Sequence, residues 1–112
     1  MATVNSVTPS LTAENSGQPS ARLGVARVNV TGAAAYVEGG DSLAASLPGA
    51  KVIACPFVPT YDTSELRWAR VEDSDGTPML KFYDNDNGAP GTETDADDDV
   101  SGHTLDLDVT FV

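Results

Sequence analysis

The chain has 112 residues, room for a single core, and a net charge of −11 from 17 acidic and 6 basic side chains. That balance argues against nucleic acid and anionic membrane surfaces as direct partners, because phosphate contacts need clustered Lys and Arg. One cysteine excludes an internal disulfide, and one cysteine with one histidine cannot fill a four-ligand zinc site.

Aromatic residues are only 6% of the chain, so the core must rest mainly on Val, Leu, Ile and Ala. Ten glycines and seven prolines favour short strands and turns over long helices. The N-terminus lacks the basic and apolar regions of a signal peptide. No stretch approaches the ~20 apolar residues of a membrane span. The expected compartment is cytosol-like, unless the chain leaves as part of a larger particle.

Residues 1–21 read as an arm separate from a β domain at 22–112. The arm is rich in Thr, Ser, Asn and Pro, and its apolar residues stand alone at Val4, Val7 and Leu11. No period of 2 or 3.6 is sustained there, which fits a flexible leader or an extended segment ordered by a partner. In the second case Val4, Val7 and Leu11 are the partner-contact residues.

Strand character begins at Arg22. Arg27-Val28-Asn29-Val30-Thr31 alternates as a half-buried strand does, while Leu23 and Val25 fall on the other parity and predict a bulge or turn near Ala26. Ala33 to Glu38 reads as extended. Gly39-Gly40-Asp41-Ser42 then reads as a corner that carries the chain to the other side of a sandwich. Ser42 to Leu47 has the signals of one helical turn, stopped by Pro48-Gly49. Lys51 to Val58 is the most continuously apolar run, expected as a strand buried on both faces or one that changes face at Pro56. Cys55, inside it, reads as a small buried hydrophobe.

Glu65 to Val71 alternates again, with Leu66 and Trp68 expected inward and Trp68 as a core anchor. Asp75-Gly76 marks a turn, Leu80 and Phe82 face inward on the returning strand, and Asn87-Gly88 marks a second hairpin. Gly91 to Val100 is an acidic loop. The last segment, His103 to Val112, is the cleanest period-2 pattern: Leu105, Leu107, Val109 and Phe111 on one side, Thr104, Asp106, Asp108 and Thr110 on the other.

Catalytic machinery is hard to assemble from these residues. A triad would need His103, which flanks a Ser-Gly turn and has no nucleophile and acid named beside it. Asp84-x-Asp86-x-Gly88 fails the calcium-loop pattern, because Gly88 in its sixth position puts Tyr83 in the first. Asp97-Asp98-Asp99 is a charge cluster without ligand spacing. No phosphate loop of the GxxxxGK[ST] or GxGxxG kind occurs.

Three features follow one another in the last three quarters of the chain. Ala35-Tyr36-Val37-Glu38-Gly39-Gly40-Asp41-Ser42-Leu43 comes first. The strand Leu80-Lys81-Phe82-Tyr83-Asp84 follows, with its Asn87-Gly88 tip. Gly91-Thr92-Glu93 and a Ser101-Gly102 turn then lead into the final strand. In this order the chain from about Thr31 to Val112 resembles small tailed-bacteriophage virion structural proteins of the capsid decoration or cement kind. The acidic run at Asp97 to Asp99 and the segment from Met1 to Ala21 lie outside the match.

The resemblance implies a protein that is not an enzyme, with no catalytic residue to carry over, no cofactor and no metal. It implies the major capsid protein and sister subunits as partners, a homo-oligomer, and a place on the capsid surface of a virion assembled in the host cytoplasm. Together the expectations are an all-β fold, an antiparallel β-sandwich or jelly-roll-like barrel with an extended N-terminal arm, that decorates and cements the capsid. The alternatives are a tail, neck or fibre component, or a ligand- or carbohydrate-binding module using Asp84, Asp86 and Asp97 to Asp99 with calcium.

Overall fold

The period-2 segments become strands. The computed structural model describes residues 2–12, 24–47, 52–63 and 65–111. In chain order the strands are β1 (Thr3–Thr12), β2 (Gly24–Thr31), β3 (Asp41–Ser42), β4 (Val52–Ala54), β5 (Val58–Tyr61), β6 (Leu66–Ser74), β7 (Thr77–Asp86), β8 (Ala89–Glu93) and β9 (Thr104–Phe111). Among the described residues there is no helix.

The strands form two antiparallel sheets packed as a sandwich. The first has the order β1-β2-β9-β4; the second has the order β3-β7-β6-β5, with β8 also on β7. The outer edge of β7 is shared: β3 takes Met79 and Leu80, and β8 takes the stretch from Tyr83 to Asp86. Val28, Val30, Leu105, Leu107 and Val109 of the first sheet face Ala69, Val71, Leu80 and Phe82 of the second. Their burial is the main favourable contribution to folding. Tyr36 and Phe82 meet edge to face, with ring centroids 6.1 Å apart.

Two hairpins set the register of the second sheet. Asp75 and Gly76 both have positive φ, as do Asn87 and Gly88, the backbone that two-residue turns between twisted strands require. The first turn closes Ser74 onto Thr77 and so places Ala69 opposite Phe82 and Val71 opposite Leu80. Because paired residues share a face, Arg67, Ala69 and Val71 point inward and Leu66 and Trp68 point outward. Trp68 is therefore not a core anchor. The expected parity of β6 is reversed by the turn that fixes its partner.

The Gly39-Gly40 corner links the two sheets, since β2 lies in the first and β3 in the second. Ala33 to Glu38 is a bent loop rather than an extended strand. Its backbone is held by the acidic loop: Tyr36 N–H donates to the Asp98 carbonyl (2.8 Å), Asp97 N–H to the Tyr36 carbonyl (2.8 Å), and Val100 N–H to the Ala33 carbonyl (2.9 Å). Gly40 has φ +94°, and a Cβ there would lie 2.6 Å from the Leu80 carbonyl oxygen, so this corner tolerates no side chain. The helical turn after it forms, with Leu47 N–H donating to the Leu43 carbonyl at 2.9 Å.

Of residues 1–21, read above as a separate arm, β1 is a strand of the body, and residues 13–21 lie outside the described residues. β1 pairs along all of β2, from Thr3 opposite Thr31 to Thr12 opposite Gly24. Isolated apolar residues hid this strand, because β1 is an edge element with two register shifts, between Val4 and Ser6 and between Pro9 and Leu11. The irregularity expected near Ala26 of β2 lies opposite it, in β1. The apolar run from Lys51 divides at Cys55-Pro56-Phe57: β4 belongs to the first sheet and β5 to the second, an edge strand in each. Proline cannot complete a ladder, which fits both the break and the edge.

Candidate interaction surface

Turning Trp68 outward gives the second sheet a patterned outer face. Cross-strand neighbours on it are Pro59 and Trp68, Tyr61 and Leu66, Trp68 and Tyr83, Arg70 and Lys81, and Glu72 and Met79. Most are partly buried, and Pro59 and Tyr61 are exposed. Phe57 stands edge to face on Tyr83 at 5.2 Å, and the Arg70 guanidinium lies 4.2 Å above the Phe57 ring. Trp68 Nε1 donates to Asn85 Oδ1 at 3.1 Å, which ties the indole to β7.

The charges on this face are organised around Glu72. Its carboxylate accepts from Tyr83 OH and from Arg70 Nε (2.9 Å), and Lys81 Nζ lies 3.5 Å away. Burial pushes the Glu72 carboxyl up, but these donors and cations hold it below the usual range. Burial first, and then the contact with Glu72, pushes the Tyr83 phenol up to about 12. The face thus combines aromatic rings, an arginine and a lysine, on a chain whose net charge is −11. Trp, Tyr and Arg are the residues that most often dominate binding energy at protein interfaces.

The outer face of the first sheet is different in kind. Asn5 Nδ2 donates to Asn29 Oδ1 (2.9 Å), Asn29 Nδ2 to Asp106 Oδ1 (2.8 Å), and Thr31 and Thr104 hydroxyls meet at 2.9 Å. Arg27 Nε donates to Asp108 Oδ1 at 3.0 Å. This polar ladder runs across three strands, β1, β2 and β9.

No family model, curated protein or solved structure matches the chain. The reading of its surfaces therefore rests on their chemistry.

The residues singled out in the sequence take these places. Val4 and Val7 pack partly buried against the core of their own chain. Leu11 pairs through its backbone with Val25, and its side chain lies outside the described residues. The structure thus brings Val4 and Val7 to this chain's own interior edge. Asp84 Oδ1 accepts from Arg67 Nη1 (2.6 Å) and from the Thr94 hydroxyl (3.0 Å), while Asp86 is exposed on the strand end. Asp98 lies 3.7 Å from Arg67, and Asp99 Oδ1 accepts from the Ser101 N–H (2.9 Å) and hydroxyl (2.6 Å). Among the described residues no three His, Cys, Asp or Glu side chains converge as a metal-binding group.

Two buried polar residues and one partly buried carboxylate were not anticipated. Arg67, 6% exposed at its side chain, is held by Glu65 and Asp84 with Asp98 nearby. His103 is fully buried rather than at a turn surface; its Nδ1 meets Thr60 Oγ1 at 3.2 Å and its Nε2 lies 3.4 Å from Asp62 Oδ2. This row has the order of a hydroxyl–imidazole–carboxylate triad, but Thr60 and His103 are both sealed in the core. Glu93 Oε2 accepts from Tyr36 OH (2.6 Å) and from Gly39 N–H (2.7 Å), which ties the corner to β8. Burial first, then the Glu93 contact, pushes the Tyr36 phenol up. Cys55 is buried and accepts the Val71 N–H on its sulfur at 3.3 Å.

Proposed function

We propose that the protein is a structural component of a tailed-phage virion that sits on the capsid surface and cements the shell. The major capsid protein and sister copies are its partners. The observation that carries this reading is the outer face of the second sheet, where Phe57, Trp68 and Tyr83 form an aromatic platform beside Arg70 and Lys81, which are gathered on Glu72. A protein of this kind needs a rigid β body and a docking face, and the polar ladder on the opposite sheet suits a side turned to solvent. Acidic charge keeps such a protein away from the DNA being packaged. Assembly takes place in the host cytoplasm, and the oligomer is expected to follow a capsid symmetry. Mass spectrometry of purified particles tests the reading: the copy number should scale with capsid symmetry and the protein should travel with heads. Recovery on tails alone would assign it to a tail, neck or fibre.

The same platform favours a second reading. Trp68 beside Tyr83, with Asn85 hydrogen-bonded at its edge, is the combination of flat ring and polar group that a sugar-binding sheet face uses. Saturation of the Trp68 fluorescence change by a soluble oligosaccharide would favour this module over the capsid role.

A further inference from the structure

The described strands leave β1 and β4 at the edges of the first sheet and β3, β5 and β8 at those of the second. An edge strand presents a row of N–H and C=O groups that another strand can pair with, and proteins blunt such edges by shortness, proline or charge. Four of these five are blunted. β3 has two residues and carries Asp41, and β4 has three. β5 has four, with Pro59 among them, and β8 has five, with Pro90 and Glu93. β1 has ten, and residues 1–13 contain no charged side chain.

β1 is fastened from its inner side. Val4 and Val7 pack partly buried against the core, and the Ala2 N–H donates to the buried Asp41 carboxylate of the second sheet. Along its outer side no strand lies beside it among the described residues. Thr3, Asn5, Ser6 and Thr8 are exposed there as neutral polar groups. Pro9 lacks a donor, so an added strand pairs before it, over residues 3–8.

Charge selects the occupant. Two copies of a chain with net charge −11 repel wherever their acidic surfaces meet. The outer face of the first sheet carries Asp106 and Asp108, and the turns of the second carry Asp73, Asp75 and Asp86. β1 brings no charge to the contact. Its register partners on β2 include one charge, Arg27 opposite Thr8, and Asp108 pairs with that. A charged foreign segment therefore finds no counter-charge on this edge. Antiparallel self-pairing across a two-fold axis instead sets Thr and Ser hydroxyls against one another, a favourable cross-strand combination.

We propose that β1 is a self-association edge, along which two copies of this chain pair antiparallel over residues 3–8 and join their first sheets into one. The inference does not rest on the virion reading, and it concerns an edge of the first sheet, not the docking face of the second.

The test is sedimentation velocity of the full chain from about 10 µM to about 1 mM, in about 0.15 M salt to screen the net charge. The wild type should pass reversibly from monomer to dimer. Thr3→Glu with Ser6→Glu should weaken the dimer by about tenfold or more. Ala45→Glu with Thr92→Glu adds the same charge at exposed sites away from this edge, and should stay within about threefold of the wild type. Deuterium exchange of the wild type gives a readout that needs no variant: β1 amides should slow as concentration rises, while those of β5 should not. A monomer throughout the range would overturn the proposal. So would equal weakening by the two double variants, or β1 exchange that is independent of concentration.

Discussion

At the scale of single residues, Trp68 and His103 carry the clearest consequences. Trp68 sits on a sheet face, partly buried, with its indole N–H on Asn85. Trp68→Ala should therefore cost less than about 1.5 kcal/mol in urea unfolding, where a core tryptophan costs about 3–5. A loss in the higher range would return Trp68 to the role of core anchor. His103 is held below its ordinary value, mainly by burial, against the smaller pull of Asp62. Its neutral form stabilises the fold above the unfolded value of about 6.5, and that contribution is lost as pH falls below it toward the depressed folded value. The melting temperature of the wild type should drop between pH 7 and pH 5 by more than that of His103→Gln. Parallel curves for the two proteins would show that His103 is not a determinant of acid sensitivity.

At the scale of elements, most of the fold was legible and the errors have physical causes. The final strand reads directly, because Leu105, Leu107 and Val109 have nowhere to go but the core. Both hairpins read from Asp75-Gly76 and Asn87-Gly88, whose backbone demands few residue types meet. The inversion of β6 was also within reach. A two-residue turn at Asp75-Gly76, with Leu80 and Phe82 inward, places Val71 and Ala69 inward and Trp68 outward. Side-chain size suggested the opposite, and register decided. Arg67 defeats simple parity for another reason: carboxylates from Glu65, Asp84 and Asp98 come from separate segments and meet only in the folded chain. The outer-face platform likewise needs the folded chain, because only the pairing of β6 with β7 sets Trp68 beside Tyr83.

β1 is the element most in need of a direct test, because composition alone set it apart as an arm. Val4 and Val7 pack against the core, and eight of the ten residues of β1 pair along β2. Deleting residues 2–12 should lower the unfolding free energy by about 2–3 kcal/mol, chiefly through lost valine burial and an uncovered sheet edge. Amides of β2 should then exchange faster with deuterium. An unchanged urea midpoint and unchanged exchange would restore the separate arm.

At the scale of the whole molecule, the two outer faces are unequal. One is a polar ladder, and the other carries aromatic rings beside Arg70 and Lys81. Such asymmetry is the expected design of a protein that docks by one side. The proposal of a capsid cement protein gives that side an occupant.

The most direct test of this account is cosedimentation of the purified protein with phage heads that lack it. Wild type should bind saturably, and Trp68→Ala with Tyr83→Ala should weaken binding by about tenfold or more while the fold persists. Binding of the double variant at wild-type strength would contradict the assignment of this face.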